Sequence, residues 1–202
     1  MKRRIKILLI LAIVLVAAAL AVAAVGHRGF SSREDPTFVE AFIARRVRQM
    51  GVPPDARERP NPVQPGADAI ADAMTHFADH CAICHGNDGR GRTAIGQGLY
   101  PKPPDMTQPE TQNLSDGELY YIIENGVRLT GMPAFGNGGY EDEDTWKLVG
   151  FIRRLPDLTD EELMRMKDMN PRTPAELKRE EELQRFLRGE TDNVPAGDSH
   201  RH

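Results

Sequence analysis

The chain contains two cysteines, Cys81 and Cys84, three positions apart. A framework of several disulfides, the usual compensation for a small core in exported domains, is therefore out of reach. A bridge between these two would close too short a loop to staple a fold. The pair must serve chemistry, and His85 follows it directly. Whatever architecture the chain adopts has to present Cys81, Cys84 and His85 together.

Three kinds of site use such a cluster. A redox dithiol of the thioredoxin kind needs a βαβ setting, and the chain has no run of alternating β-branched residues to supply one. A zinc site would draw on His76, His80, Cys81, Cys84 and His85, with the first two four apart on a helix. Structural zinc sites take ligands from two separated pairs, however, and these five crowd into ten residues. The third reading fits best. Cys81-Ala82-Ile83-Cys84-His85 has the spacing of a covalent haem c attachment. Two thiols so spaced reach the two vinyl groups on one haem edge, and the adjacent imidazole offers a neutral nitrogen to the iron. His85 is expected as the first axial ligand of a single haem c.

An electron carrier benefits from a second strong axial ligand, because a filled coordination sphere changes oxidation state with little rearrangement. Of eight methionines, Met132 is the best candidate: it stands in Gly131-Met132-Pro133-Ala134-Phe135-Gly136, 47 residues after His85. Glycine lets the backbone come close and proline fixes the turn. A thioether ligand favours ferrous iron and raises the potential. Met106, after Pro103-Pro104-Asp105, is the runner-up.

Residues 7–25 form an unbroken apolar run of 19 residues, preceded by Lys2, Arg3, Arg4 and Lys6. The length suits a membrane-spanning helix better than a signal-peptide core of about 7–15 residues. An uncleaved anchor is the preferred reading, with cleavage near Ala23 as the alternative. Both keep the positive flank in the cytoplasm and send the remainder outward, to the periplasmic side. Without residues 1–23 the chain keeps 22 of its 26 basic residues against 30 acidic ones, a net charge of −8. Such a chain is repelled by nucleic-acid phosphates, so nucleic acid is not an expected partner. Redox proteins or a membrane respiratory complex are.

Periodicity divides the rest. After the anchor segment (1–30), residues 31–65 hold a short amphipathic helix, with Asp35 as its cap and Pro36 at its first position, and then a proline-rich extended linker. The main domain covers 66–156. It opens on a helix over 67–80, passes through Gly- and Pro-rich residues 87–109, and continues with a Ser115-x-x-Glu118 capping box. Gly126 ends that helix. A second glycine-rich loop leads to a helix carrying Trp146, Leu148, Val149 and Ile152. Loops this long in a small domain need a reason, and wrapping a planar cofactor is one. Two further capped helices fill 157–189, and 190–202 is expected to be a disordered tail. The fold class is all-α.

These residues resemble the class I cytochromes c, in particular the single-haem, membrane-anchored bacterial type. The resemblance rests on Cys81–His85 with Gly86, on Leu99-Tyr-Pro-Lys-Pro-Pro-Asp105 and on Gly131-Met132-Pro133, in that order. It implies a small helical domain around one haem whose first and last helices cross, with Phe77 and Trp146 at or near the crossing. It also implies that a carbonyl of Pro101, Pro103 or Pro104 accepts a bond from the His85 ring, and that Arg128 pairs with a haem propionate. The expected function is single-electron transfer by an electron carrier that is not itself an enzyme. Alternatives are the electron-entry subunit of a larger oxidase, reductase or dehydrogenase, and a haem-based sensor or peroxidase.

Overall fold

The computed structural model describes residues 2–28, 31–64 and 66–190, and every regular element among them is helical. The segment expected to be a disordered tail lies outside the described residues from 191 onward. The apolar run forms one helix, α1 (Lys2–Arg28), within which Arg3–Ala24 is long and apolar enough to cross a membrane and none of which is covered by protein. An apolar N-terminal helix of this kind serves as a membrane anchor or as a signal sequence.

Helix α2 (Phe38–Gly51) starts later than the sequence suggested. Thr37, not Asp35, is its cap: the Thr37 hydroxyl accepts from the Glu40 N–H while the Glu40 carboxylate accepts from the Thr37 N–H. Asp35 pairs instead with Lys102. The expected extended linker also differs. Pro54–Arg57 forms a short helix, α3, and Val52 and Ala56 are buried, so this stretch docks on the main domain rather than spacing it from α2. Proline at the first helical position is compatible with a helical turn as well as with extended chain.

The core is built from α4 (Ala67–His76) and α9 (Glu143–Arg154), which pack together, and from α8 (Asp116–Asn125), which packs on α9. Phe77 is buried against Phe151, with ring centroids 5.1 Å apart, so it does stand where the first and last helices of the domain meet. Trp146 is buried too, but it stacks on Tyr120 of α8 at 4.1 Å rather than on Phe77. Its Nε1 donates to the Tyr140 carbonyl at 3.1 Å. Arg153 closes the far end: it donates to the carbonyls of Gln112 and Leu114 and pairs with Asp116 at 2.8 Å. A cation at the C-terminus of α9 thus meets an acid at the N-terminus of α8, which suits both helix dipoles.

Beyond α9 and a turn of 3₁₀ helix (Leu155–Asp157), α10 (Asp160–Met169) returns to the core. It buries Met166 completely and joins α9 through Arg154 and Glu162 at 2.6 Å. Helix α11 (Pro174–Leu187) buries no residue.

Candidate functional site

The cysteine–histidine cluster sits where α4 changes its winding. Phe77–Cys81 forms a π-helical turn in which the Ala82 N–H reaches back to the Phe77 carbonyl, and a short α5 (Ala82–His85) follows. Single π turns insert one extra residue and recur at functional sites. Here the turn keeps Phe77 and Ala78 in the core while Cys81, Cys84 and His85 come out half-buried. Gly86 ends the helix at φ +73°, and the Gly91 N–H then bonds back to the His85 carbonyl at 2.6 Å.

Burial sets the charge state of all three groups. Desolvation pushes the Cys81 thiol up to about 12, with the neighbouring Cys84 adding to the effect, and burial raises Cys84 as well. Both are protonated, uncharged thiols at neutral pH. Burial lowers His85 to about 4, so its imidazole is neutral. Its Nδ1 is buried and has no hydrogen-bond partner. The expected bond from this ring to a carbonyl of Pro101, Pro103 or Pro104 is therefore not made. The Pro103 carbonyl lies instead against the backbone of Gly91, 2.6 Å from where a Cβ there would stand.

Met132 lies half-buried on the loop between α8 and α9 and packs against the edge of the core. Its carbonyl accepts from the Val127 N–H at 3.1 Å, and its own N–H donates to the Thr130 hydroxyl. Residues 99–103 lie against both the His85 loop and the Met132 loop. Leu99 covers Gly131, the neighbour of Met132, at 2.7 Å from a notional Cβ, while Pro103 covers Gly91 in the His85 loop. Met106, the runner-up, is different: it is buried within the main core cluster. Pro101 and Pro103 are half-buried and Pro104 is exposed. Arg128 is exposed and forms no ion pair among the described residues. The zinc set is not assembled either: His76 and His80 touch edge to face at 4.9 Å, and no group of three or more metal-ligating side chains occurs among the described residues.

One residue that the sequence reading passed over organises the Met132 loop. Glu124 is almost wholly buried. One carboxylate oxygen accepts from the Thr145 hydroxyl of α9 at 2.8 Å and the other from the Gly138 N–H at 3.3 Å. The Glu124 backbone carbonyl accepts from the Gly136 N–H, and a Cβ at Gly136 would lie 1.7 Å from the carboxylate, so only glycine fits. Its signal in the sequence is position: Glu124 stands four residues after Tyr120, on the buried face of α8, just before a glycine-rich loop.

The arrangement suits haem c. Such a group takes two thiols for its vinyl carbons and one neutral imidazole for its iron; Cys81, Cys84 and His85 offer them, and two long loops flank them. Comparison with known proteins points the same way. Residues 68–152 match the family model described as cytochrome C oxidase, cbb3-type, subunit III. Over 97 residues the chain is 28% identical to a thiosulfate dehydrogenase of Stutzerimonas stutzeri (strain A1501), a match that covers 48% of this chain and 31% of that protein. The chain thus spans about a third of the length of the curated relative it matches. Residues 68–152 are a cytochrome c domain of class I, a domain that implies haem c and electron transfer.

Proposed function

We propose that the protein is a single-haem electron carrier in which Cys81 and Cys84 hold the haem covalently, His85 is one axial ligand and Met132 the other. The haem, when bound, supplies an iron that gains and loses one electron. The protein's own contribution is binding and electronic tuning. The observation that carries the reading is the imidazole of His85, half-buried and neutral with a buried, unpartnered Nδ1, directly after Cys84 and its uncharged thiol. Such an imidazole needs no proton removed before it ligates a metal. Met132 is favoured over Met106 because it lies at the core's edge on a loop that glycines let approach closely, whereas Met106 packs inside the core. Arg128, exposed on the same loop, is free to reach a propionate.

The basic flank and apolar length of α1 support a location in which the haem domain lies on the periplasmic side, tethered to the cytoplasmic membrane. Tethering confines diffusion to a plane and raises the effective concentration near membrane-bound redox partners. A haem stain on a denaturing gel of membrane and soluble fractions tests attachment, processing and location together. Stain at the full-length mass in the membrane fraction is expected. A purified, exported protein without haem that survives denaturation removes the reading.

A second reading, the electron-entry subunit of a larger redox complex, is favoured by α11, which leaves Leu177, Leu183, Phe186 and Leu187 exposed. The names of the matched family and relative, an oxidase subunit and a dehydrogenase, agree with it. Truncation after Arg172 tests it, because it spares Met166 and the rest of α10. Loss of co-purifying redox subunits with an unchanged haem spectrum supports the complex. Unchanged behaviour leaves the free carrier.

A further inference from the structure

Helix α2 is built with its apolar side outward. At 100° per residue, Phe38, Val39, Phe42, Ile43, Val47 and Met50 share one half of its circumference. All are exposed, from 47% at Phe42 to 82% at Met50. The opposite side faces the protein. Ala41 and Arg48 on that side are half-buried, and Arg57 of α3 donates to the Gln49 carbonyl. Arg48 is desolvated and lies within the field of Glu118. A helix docked by its polar side, with six large apolar side chains turned away, has its usual orientation reversed.

We propose that this face lies in the surface of the membrane that α1 enters, with α2 parallel to the bilayer plane among anionic phospholipid head groups. Two observations select lipid as the occupant. Only nine residues separate the end of α1 at Arg28 from Phe38, so an anchored chain holds α2 within about 30 Å of the membrane surface even if that connector is fully extended. Charge is the second. The chain beyond residue 23 carries a net −8, yet α2 holds three arginines against one glutamate. Arg45 and Arg46 are both exposed, and Arg46 lies over the Phe42 ring at 5.3 Å, inside the apolar face itself. An in-plane helix of this composition buries its apolar side roughly 5–10 Å into the head-group boundary while its arginines meet lipid phosphate. The inference rests on the reading of α1 as a retained anchor.

The test is site-specific photo-crosslinking of the full-length, haem-loaded protein in its native membrane. A benzophenone amino acid replaces Phe42, Val47 or, on the opposite side, Ala44, and one replaces Leu15 within α1 as a control. The expected result is a phospholipid mass adduct at Phe42 and Val47, none at Ala44, and a lower adduct yield at Phe42 in the Arg45→Glu, Arg46→Glu double variant. A polypeptide adduct at Phe42 and Val47 makes the face a protein-docking surface and overturns the proposal. So does the absence of any adduct there while Leu15 is crosslinked to lipid. The two readings fail separately. A mature chain whose mass lacks α1 removes the anchor, and lipid adducts at Phe42 and Val47 in that chain would still place α2 at the membrane.

Discussion

Cys81, Cys84 and His85 are carried on continuous helix, whereas Met132 is carried on the loop of seventeen residues, 126–142, between α8 and α9. The first group is held from below by packing. Phe77 and Ala78, in the turn that delivers Cys81, are among the most buried residues of the core. The second is held from behind by polar bonds, through Glu124, Thr145 and the backbone of Gly136 and Gly138. The proposed site, with one packed half and one bonded half, has two modes of failure. Loss of packing unfolds the domain. Loss of the polar bonds frees the loop with most of the core still in place.

Substitutions separate the two halves. The largest effect is expected from His85→Ala together with Cys84→Ser, which removes stable haem retention altogether; absence of haem stain after denaturation checks it. Next is Glu124→Ala. It leaves the Thr145 hydroxyl and the Gly138 N–H without their acceptor, at about 1–3 kcal/mol for each group that stays dry. The lost stability should appear in denaturant melts, with easier displacement of the sixth ligand by carbon monoxide, while covalent haem is retained. If ligand binding is unchanged in that variant, the loop does not depend on the carboxylate. Met106→Ala should cost about 2–5 kcal/mol, as for other buried methionines, with the visible spectrum unaltered. Met132→Ala should do the reverse: little change in stability, a potential lowered by part of the roughly 0.8 V that axial ligands span, and carbon monoxide binding. If Met106→Ala changes the spectrum and Met132→Ala does not, their roles are exchanged.

The smallest effect concerns the join between α9 and α10. The Thr159 N–H and the Arg154 guanidinium hold the Glu162 carboxyl below its ordinary value of 4.5. A carboxyl lowered on folding stabilises the protein above its unfolded value, and the contribution fades as pH falls through the folded one. Glu162→Gln should therefore lower stability by about 1–2 kcal/mol near neutrality and by less below pH 4.5. Parallel pH–stability curves for the two proteins would exclude this.

Local signals in the sequence hold up better than the packing it suggests. The cysteine–histidine spacing, the Ser115 and Thr159 capping boxes and the long apolar run are local signals, and each stands in the structure where the pattern put it. What the sequence left unsaid depends on contacts across the chain. Prolines 53, 54 and 60 suggested an extended spacer, yet Ala56 is buried because α8 offers a surface for it. Helices α10 and α11 begin with the same Thr-x-x-Glu box and only α10 buries a residue, since a cap fixes where a helix starts and not whether it packs. Glu124 was invisible for a related reason: its partners lie 14 and 21 residues away.

The π turn at Phe77–Cys81 makes the spacing between the core and the proposed attachment residues a matter of residue count rather than residue type. Inserting one residue after Ala78, with no second wide turn to absorb it, would add one α-helical step to the segment. Everything after it would then swing by about 100° relative to Phe77. The side chains would all survive, but Cys81, Cys84 and His85 would point elsewhere. A one-codon insertion here should thus be more damaging than most single replacements, and a family tree of such chains should resist lengthening of this segment more strictly than changes in its letters.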